Sequence, residues 1–178
     1  PSSGSGMMSA MMGPRDTKFT VMRIVSNKLS GKIVSLPTQL ASLPQWKESE
    51  AAKTRHFELN MAMGRGFTIN GKTFDLKRID LKIKLNDIEI WEITNRSPSP
   101  HPIHIHDIQF RILSRNGKKP PMNERGLKDT VLINARETVR LIAKFETFAD
   151  DKSPYMYHCH ILEHEDAGMM GQFIVTKT

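Results

Sequence analysis

Cysteine is almost absent from this sequence, which has only Cys159 among its 178 residues. A single cysteine cannot close a disulfide within the chain, so a disulfide-stapled scaffold is excluded. Cysteine usage is then equally compatible with a periplasmic, an extracellular and a cytoplasmic location. Long apolar runs are missing too, since no stretch approaches the roughly 18 residues of a transmembrane helix. We therefore expect no membrane partner.

Acidic residues are the scarcer charge, with 19 Asp and Glu against 26 Lys and Arg, for a formal net charge of +7. A basic balance of this kind raises nucleic-acid binding as a function. The cations are scattered, however: Lys82 and Lys84 alternate along a predicted strand, and Lys118 and Lys119 lie at a turn. No nucleic-acid motif accompanies them, so we expect a solvated face and no nucleic-acid partner.

Regular strand patterning is missing from the first 54 residues. Residues 1–16 are rich in Ser, Gly and Met and are typical of a loop, whereas Thr17–Val25 has the composition of a strand. A lone strand has no local partner, so we expect residues 1–26 to end a preceding domain that lies mostly outside this chain. Residues 27–54 are expected to be an interdomain linker with a short helix at Lys47–Lys53.

From residue 55 onward, short segments rich in β-branched and aromatic residues alternate with turn signals. Three of these signals begin with asparagine: Asn70-Gly71, Asn86-Asp87 and Asn116-Gly117. The first predicts a two-residue hairpin turn, because Asn and Gly both tolerate the positive φ that such turns require. Seven or eight strands at this spacing predict one all-β sandwich or barrel over residues 55–178.

Six of the seven histidines fall in two short segments of this predicted domain. The first segment contains His101, His104 and His106. The second contains His158, Cys159, His160 and His164, followed by Glu165 and, a few residues on, Met169. Six histidines, the only cysteine and a methionine in two segments indicate a metal site, whereas the isolated His56 is typical of a surface histidine.

Strand periodicity divides these donors between two faces. Alternate side chains of a strand point to opposite sides, so Cys159 is opposed to His158 and His160. If the two segments are neighbouring strands, one site holds His101, Cys159 and His164, with Met169 as a weak axial ligand. Two imidazoles, a thiolate and a thioether are the ligands of a blue-copper site.

A second site would receive the remaining clustered histidines, which are His104, His106, His158 and His160. Four imidazoles suit copper, zinc or iron. A tetrahedral structural zinc site disagrees with the division of donors between two faces, so zinc is the weaker alternative. Cys159 is covalently adjacent to a histidine on each side, and an electron reaching the thiolate can pass through the backbone to the second site.

Taken together, the segments HPIHIHDIQFRIL and HCHILEHEDAGMM closely resemble the C-terminal copper motifs of bacterial multicopper oxidases, a group that includes laccase-like enzymes, cuprous oxidases and spore-coat laccases. The resemblance covers about residues 55–178 and implies a cupredoxin-like Greek-key β-sandwich. It implies copper as the cofactor, about four ions per complete enzyme, of types 1, 2 and 3.

Each matching position takes a role from this resemblance. Type 1 copper would be bound by His101, Cys159, His164 and, axially, Met169; type 2 copper by His104; and the type 3 pair by His106, His158 and His160. Glu165 matches a glutamate that supplies protons toward the oxygen site, with Asp166 a weaker candidate. Asp107 is a possible hydrogen-bond acceptor for a ligand histidine, although a solvent-facing carboxylate is the simpler interpretation.

The resemblance also implies partners. Family members oxidise a small-molecule reductant one electron at a time and reduce O₂ to water at a trinuclear cluster shared with their first domain. We therefore expect a second chain or fragment that carries domains 1 and 2 and the remaining cluster histidines. Phenols, aromatic amines, bilirubin-like pigments and Cu(I) all remain open as reductants.

Two other functions compete with this interpretation. A blue-copper electron-transfer protein needs only the first donor set and leaves the second face unexplained. A copper nitrite reductase shares the type 1 ligands, but has one histidine beside its cysteine, whereas His158 and His160 both flank Cys159 here.

Overall fold

The computed structural model describes residues 20–25, 35–62 and 66–177. The chain divides into two compact units, Pro1–Pro44 and Gln45–Thr178. In the first unit, the described residues 20–25 and 35–44 form no helix or strand, and the side chains of Val21 and Ile24 are exposed. A strand forms only against a partner, so the predicted strand at Thr17–Val25, paired with a preceding domain, stays a prediction. The predicted loop at residues 1–16 lies outside the described residues.

The helix predicted at Lys47–Lys53 is wrong. Only a 3₁₀ turn forms, at Glu48–Glu50, where the Lys47 backbone N–H donates to the Glu50 carboxylate at 2.7 Å. The Ala52 N–H then donates to the Ile88 carbonyl, which draws the chain into a β-ladder. A segment this short has too few hydrogen bonds to nucleate a helix, and none of its residues is buried to compensate.

Two five-stranded sheets pack face to face over the rest of the second unit, which confirms the predicted all-β sandwich. The strands are β1 Lys53–Ala62, β2 Gly66–Ile69, β3 Leu81–Lys84, β4 Ile88–Asn95, β5 His101–Ile105, β6 Phe110–Arg115, β7 Thr130–Ile133, β8 Thr138–Lys144, β9 Asp150–Cys159 and β10 Met170–Thr176. The sheet orders are β2-β1-β4-β8-β6 and β3-β10-β9-β5-β7. A 3₁₀ turn lies at Met122–Glu124 and one helical turn, α1, at Leu162–Asp166.

The three asparagine signals all form turns. Asn70 and Gly71 have φ of 53° and 72°, as a type I′ hairpin requires, and Ile69 pairs with Lys72 across the turn. Asn116-Gly117 also has two positive φ values, 47° and 74°. Asn86, with φ of 72°, instead joins β3 to β4, which lie in different sheets because β3 pairs in parallel with β10.

An aromatic core fills the space between the sheets. Trp91 lies at its centre, with ring centroids 4.6 Å from Phe57, 5.5 Å from Tyr157 and 6.0 Å from Phe145. The indole N–H of Trp91 donates to the buried Glu89 carboxylate, which Arg55 neutralises. Because Tyr157 directly precedes His158 and Cys159 on β9, this core fixes the strand that carries two of the predicted donors. Among the described residues, no helix is long and apolar enough to cross a membrane.

Gly171 on β10 leaves room for the ring of Tyr157, which lies on the neighbouring strand β9. A Cβ at this position would overlap the Tyr157 hydroxyl and ring. We expect Gly171→Ala to lower the free energy of unfolding by about 1–3 kcal/mol, because a buried ring has little room to move. Urea denaturation measures the change.

The matched control is Gly126→Ala, where an added Cβ meets nothing within 4 Å. This variant should stay within about 0.5 kcal/mol of the parent chain. Equal stability of the two variants would contradict the close packing of Tyr157 on β10.

Candidate metal centre

The two histidine segments lie on neighbouring strands. β5 and β9 pair antiparallel, with Ile103 opposite Cys159 and His104 opposite His158. Cys159 points into the core with no exposed surface, whereas the side chain of His104 lies on the other face and is half-buried. The adjacency on which the two-site prediction depends is therefore observed, and the donors separate into an inner and an outer cluster.

The inner cluster consists of His101, Cys159 and His164. The Cys159 sulfur lies 3.6 Å from His101 Nδ1 and 3.5 Å from His164 Nδ1, and the two nitrogens are 3.2 Å apart. A point equidistant from the three atoms is about 2 Å from each, the length of a metal–ligand bond. His101 and Cys159 are fully buried, so a metal at this point would be shielded from water by the core.

The helical turn α1 places His164 beside Cys159. The backbone N–H groups of His164 and Glu165 both donate to the Ile161 carbonyl, which starts α1 directly after β9. The His164 ring then stacks on Phe67 of β2, with centroids 3.6 Å apart and planes at 31°. Phe67 is not among the residues predicted from the sequence, because nothing in the local pattern of β2 indicates which ring it contacts.

Backbone hydrogen bonds hold Met169 between His164 and Cys159. Its N–H donates to the His164 carbonyl at 2.9 Å, and its own carbonyl accepts from the Cys159 N–H at 3.0 Å. The side chain is fully buried. Gly168, with φ of 85°, makes the turn possible and packs closely against Thr73 and Phe74. The backbone thus places Met169 beside both His164 and Cys159, where a fourth ligand is expected.

The outer cluster consists of His104, His106 and His158. The Nε2 atoms of His106 and His158 face each other at 3.2 Å. His104 Nδ1 lies 3.0 Å from the Asp129 carbonyl, and His158 Nδ1 lies 3.0 Å from the Cys159 carbonyl. A carbonyl only accepts hydrogen bonds, so these contacts place the proton on Nδ1 and leave Nε2 free to bind a metal.

His160 lies on the same face but outside this group of three. Its ring centroid is 5.7 Å from that of His104 and 5.5 Å from that of His158, and its side chain is exposed. The His160 N–H donates to the Pro102 carbonyl, which fixes the backbone at the end of β9. The structure therefore places His160 at the open rim of the outer cluster.

The acidic side chains near the clusters differ in their contacts and burial. Glu165 approaches His158 Nδ1 at 3.2 Å, so it contacts the outer cluster from α1 although it follows an inner-cluster residue in sequence. Asp107 makes no hydrogen bond to a histidine: it has a φ of 73°, and its Oδ2 is buried without a partner among the described residues. Burial raises the pKa of Asp107, which is half-buried, and the possible hydrogen bond to a ligand histidine is not observed. Asp166 is exposed.

Burial keeps the donors of the inner cluster neutral. It lowers the pKa of His101 to about 4, with a further contribution from His164, and lowers that of His164 as well. The pKa of Cys159 is raised to about 11, mainly by burial, and Glu165 adds to the rise. At neutral pH the imidazoles need not lose a proton before they bind a metal, whereas the thiol must lose one.

Comparison with known proteins agrees with this geometry. Residues 40–178 match the multicopper oxidase family model. The chain belongs to the multicopper oxidase family. It is 42% identical over 150 residues to a multicopper oxidase of Staphylococcus haemolyticus, covering 82% of this chain and 32% of that protein. It is 36% identical over 175 residues to a laccase of Haloferax volcanii, covering 93% of this chain and 30% of that protein.

Solved multicopper oxidase structures share the fold. A laccase-like multicopper oxidase from Ochrobactrum superposes with a TM-score of 0.74 at 39% identity, over 83% of this chain and 36% of that one. A laccase from Pediococcus acidilactici superposes with a TM-score of 0.72 at 38% identity, over 81% of this chain and 31% of that one. The predicted cupredoxin-like sandwich of a multicopper oxidase domain is thereby confirmed. The chain spans about a third of the length of these relatives.

The metal-free multicopper oxidase domain should lose stability as the pH falls from about 6.5 to about 4. In this range the unfolded chain protonates His101 but the folded chain does not, so acid favours unfolding. His101 alone contributes at most about 3 kcal/mol, and His106 and His164, whose pKa values burial also lowers, act in the same direction. Urea unfolding at several pH values measures how the free energy of unfolding depends on pH.

His101→Gln should flatten the dependence of the unfolding free energy on pH, because the variant no longer has this buried imidazole. A slope that is the same in His101→Gln as in the parent chain would show that His101 is not buried as a neutral ring.

Proposed function

We propose that the inner cluster is a type 1 copper site, with His101, Cys159 and His164 as strong ligands and Met169 as the axial one. The observation that carries this proposal is the convergence of two imidazole nitrogens and one sulfur on a single point in the core. Two histidines, a cysteine and a weak thioether suit copper that changes its oxidation state. Zinc would also accept the three strong ligands, but a thioether is not among its usual ones.

The outer cluster is one half of a trinuclear copper site. His104 takes the type 2 role, and His106, His158 and His160 take the type 3 roles. The facing Nε2 atoms of His106 and His158, and the open rim at His160, support this assignment. The other half comes from the part of the protein that corresponds to the remaining two thirds of the relatives' length, as a second chain or fragment.

The complete protein is an oxidase that removes electrons singly from a small reductant and passes them to O₂, which is reduced to water. Similar proteins are named laccase, multicopper oxidase and bilirubin oxidase, which favours phenolic, other aromatic and pigment-like reductants. A structure from Campylobacter jejuni is described as a metallo-oxidase, so metal ions are a further class of reductant. Copper, when bound, supplies the one-electron chemistry that no side chain of this domain provides.

The chain itself connects the two clusters. Cys159 belongs to the inner cluster, and the peptide bonds on either side of it lead directly to His158 and His160. This is a covalent path without a gap through space, and the β5–β9 pairing holds it rigid. An electron-transfer protein with a single copper has no use for such a path, and the ordered imidazoles of the outer cluster argue against that alternative.

Glu165 is the side chain that would supply protons for oxygen reduction. Its carboxylate is partly exposed and 3.2 Å from His158 Nδ1, so it contacts both the outer cluster and solvent. A carboxyl group at this position can deliver a proton to the reacting oxygen and regain one from water.

Copper content is the first test. The complete protein, with every polypeptide needed for the relatives' full length, should bind about four copper ions per copy of this chain. Cys159→Ser should remove the blue absorption of the thiolate site, while His106→Ala should keep that absorption and abolish O₂ consumption. About one copper per copy, with blue absorption but no O₂ consumption, would favour the electron-transfer protein instead.

Glu165→Gln keeps the shape of the side chain but removes its proton. We expect O₂ consumption to slow by about a hundredfold, because general acids typically contribute that much or more. Reduction of the blue site by substrate under anaerobic conditions should be unchanged. The control is Asp166→Asn on the same helical turn, which is exposed and should consume O₂ at nearly the parent rate. Equal slowing of both variants would remove the specific role of Glu165.

A further inference from the structure

Asn95, at the end of β4, is completely buried and uses its whole side-chain amide in hydrogen bonds. Its Nδ2 donates to the backbone carbonyls of Ser99, Ile133 and Asn134 at 2.8, 3.2 and 3.0 Å. Its Oδ1 accepts from the Ser97 backbone N–H at 2.9 Å. Three carbonyls on one side and an N–H on the other leave only one possible orientation of the amide.

The orientation of Asn95 determines the direction of the next hydrogen bond. The Ser97 hydroxyl has one proton, and its neighbours Asn95 Oδ1, at 2.8 Å, and the Ser99 carbonyl, at 2.9 Å, can only accept. The proton therefore points to one of these two oxygens. The Ser97 oxygen also accepts from the Ser99 backbone N–H at 3.3 Å, so it presents its second lone pair to its third neighbouring residue.

That third neighbour is His101 Nε2, which lies 2.7 Å from the Ser97 oxygen. A lone pair at this distance requires a donor, so His101 carries its proton on Nε2. Nδ1 of the same ring is then unprotonated and faces the Cys159 sulfur at 3.6 Å. Both Ser97 and His101 are buried, so water cannot replace either partner.

We propose that Asn95 and Ser97 are positioning residues that lock His101 in the Nε2-protonated tautomer before any metal binds. The metal-ligating nitrogen is thus preformed in the metal-free domain. The lock itself is a property of the metal-free chain; only its consequence for copper rests on the proposed function. His164 has no equivalent lock, since among the described residues its ring is held by Phe67 stacking and by the inner cluster itself.

Nitrogen-15 NMR of the histidine rings tests the lock on the full 178-residue chain without metal. The two neutral tautomers have different Nδ1 and Nε2 shifts, and His101→Gln assigns the signals. The parent chain should show His101 as a single Nε2–H tautomer. Ser97→Ala should show a mixture of tautomers, and Ser97→Thr, which retains the hydroxyl, should restore the single form.

Ser99→Ala is the matched control, because the Ser99 side chain makes no hydrogen bond among the described residues, and only its backbone takes part. It should keep the single tautomer. If Ser97→Ala does not fold, Ser97→Cys replaces it, since a thiol has nearly the same volume but is a weak hydrogen-bond partner. An unchanged His101 tautomer in the folded Ser97→Ala or Ser97→Cys variant would overturn the proposal.

Copper titration followed by the blue absorption gives the second measurement. Loss of a hydrogen bond to a ligand histidine typically lowers metal affinity about 10–100-fold, and we expect a decrease of this size in Ser97→Ala. Unchanged affinity together with a mixed tautomer would overturn the role of the lock in metal binding. If the parent chain binds no copper while its His101 signal is a single tautomer, the proposed function fails but the lock stands.

Discussion

The antiparallel pairing of β5 with β9 is the constraint on which both donor clusters depend. Its register sets His104 opposite His158 and Ile103 opposite Cys159. Since side chains alternate along each strand, one pair of strands supplies donors to two separate sites. A slip of one residue would exchange the faces and place Cys159 in solvent. The aromatic packing of Tyr157 with Trp91 and Phe57 opposes such a slip, so core packing and metal geometry stabilise the same register.

Hydrogen-bond acceptors beside the histidine rings leave different nitrogens free in the two clusters. In the outer cluster, backbone carbonyls at Nδ1 of His104 and His158 leave Nε2 as the free nitrogen. In the inner cluster, Ser97 at Nε2 of His101 leaves Nδ1 free instead. An imidazole has one donor and one acceptor when neutral, so its partner away from the metal decides which nitrogen binds. The fold determines the ligand atoms through these partners, before any ion is present.

The sequence was sufficient for what depends on local pattern. Alternation, turn residues and the clustering of histidines predicted the sandwich, the asparagine turns and the division of donors between two faces. It was insufficient where distant segments meet. Phe67 reaches His164 only because β2 lies over α1, and Ser97 is informative only once Asn95 is known to be anchored on Ile133. The helix expected at Lys47–Lys53 failed for the same reason, because pairing with β4 outweighs a weak helical propensity.

Burial links metal binding at the inner cluster to proton release. The raised pKa of Cys159 keeps the thiol protonated in the metal-free domain, and the lowered pKa of His101 keeps that ring neutral. Neutral donors can be buried at little cost, whereas burying an unpaired thiolate in this core would cost much more. A metal ion bound by these residues would supply the missing positive charge, and one proton would leave the sulfur. The affinity of the inner cluster for such a metal would therefore increase with pH as long as the thiol remains protonated in the metal-free domain.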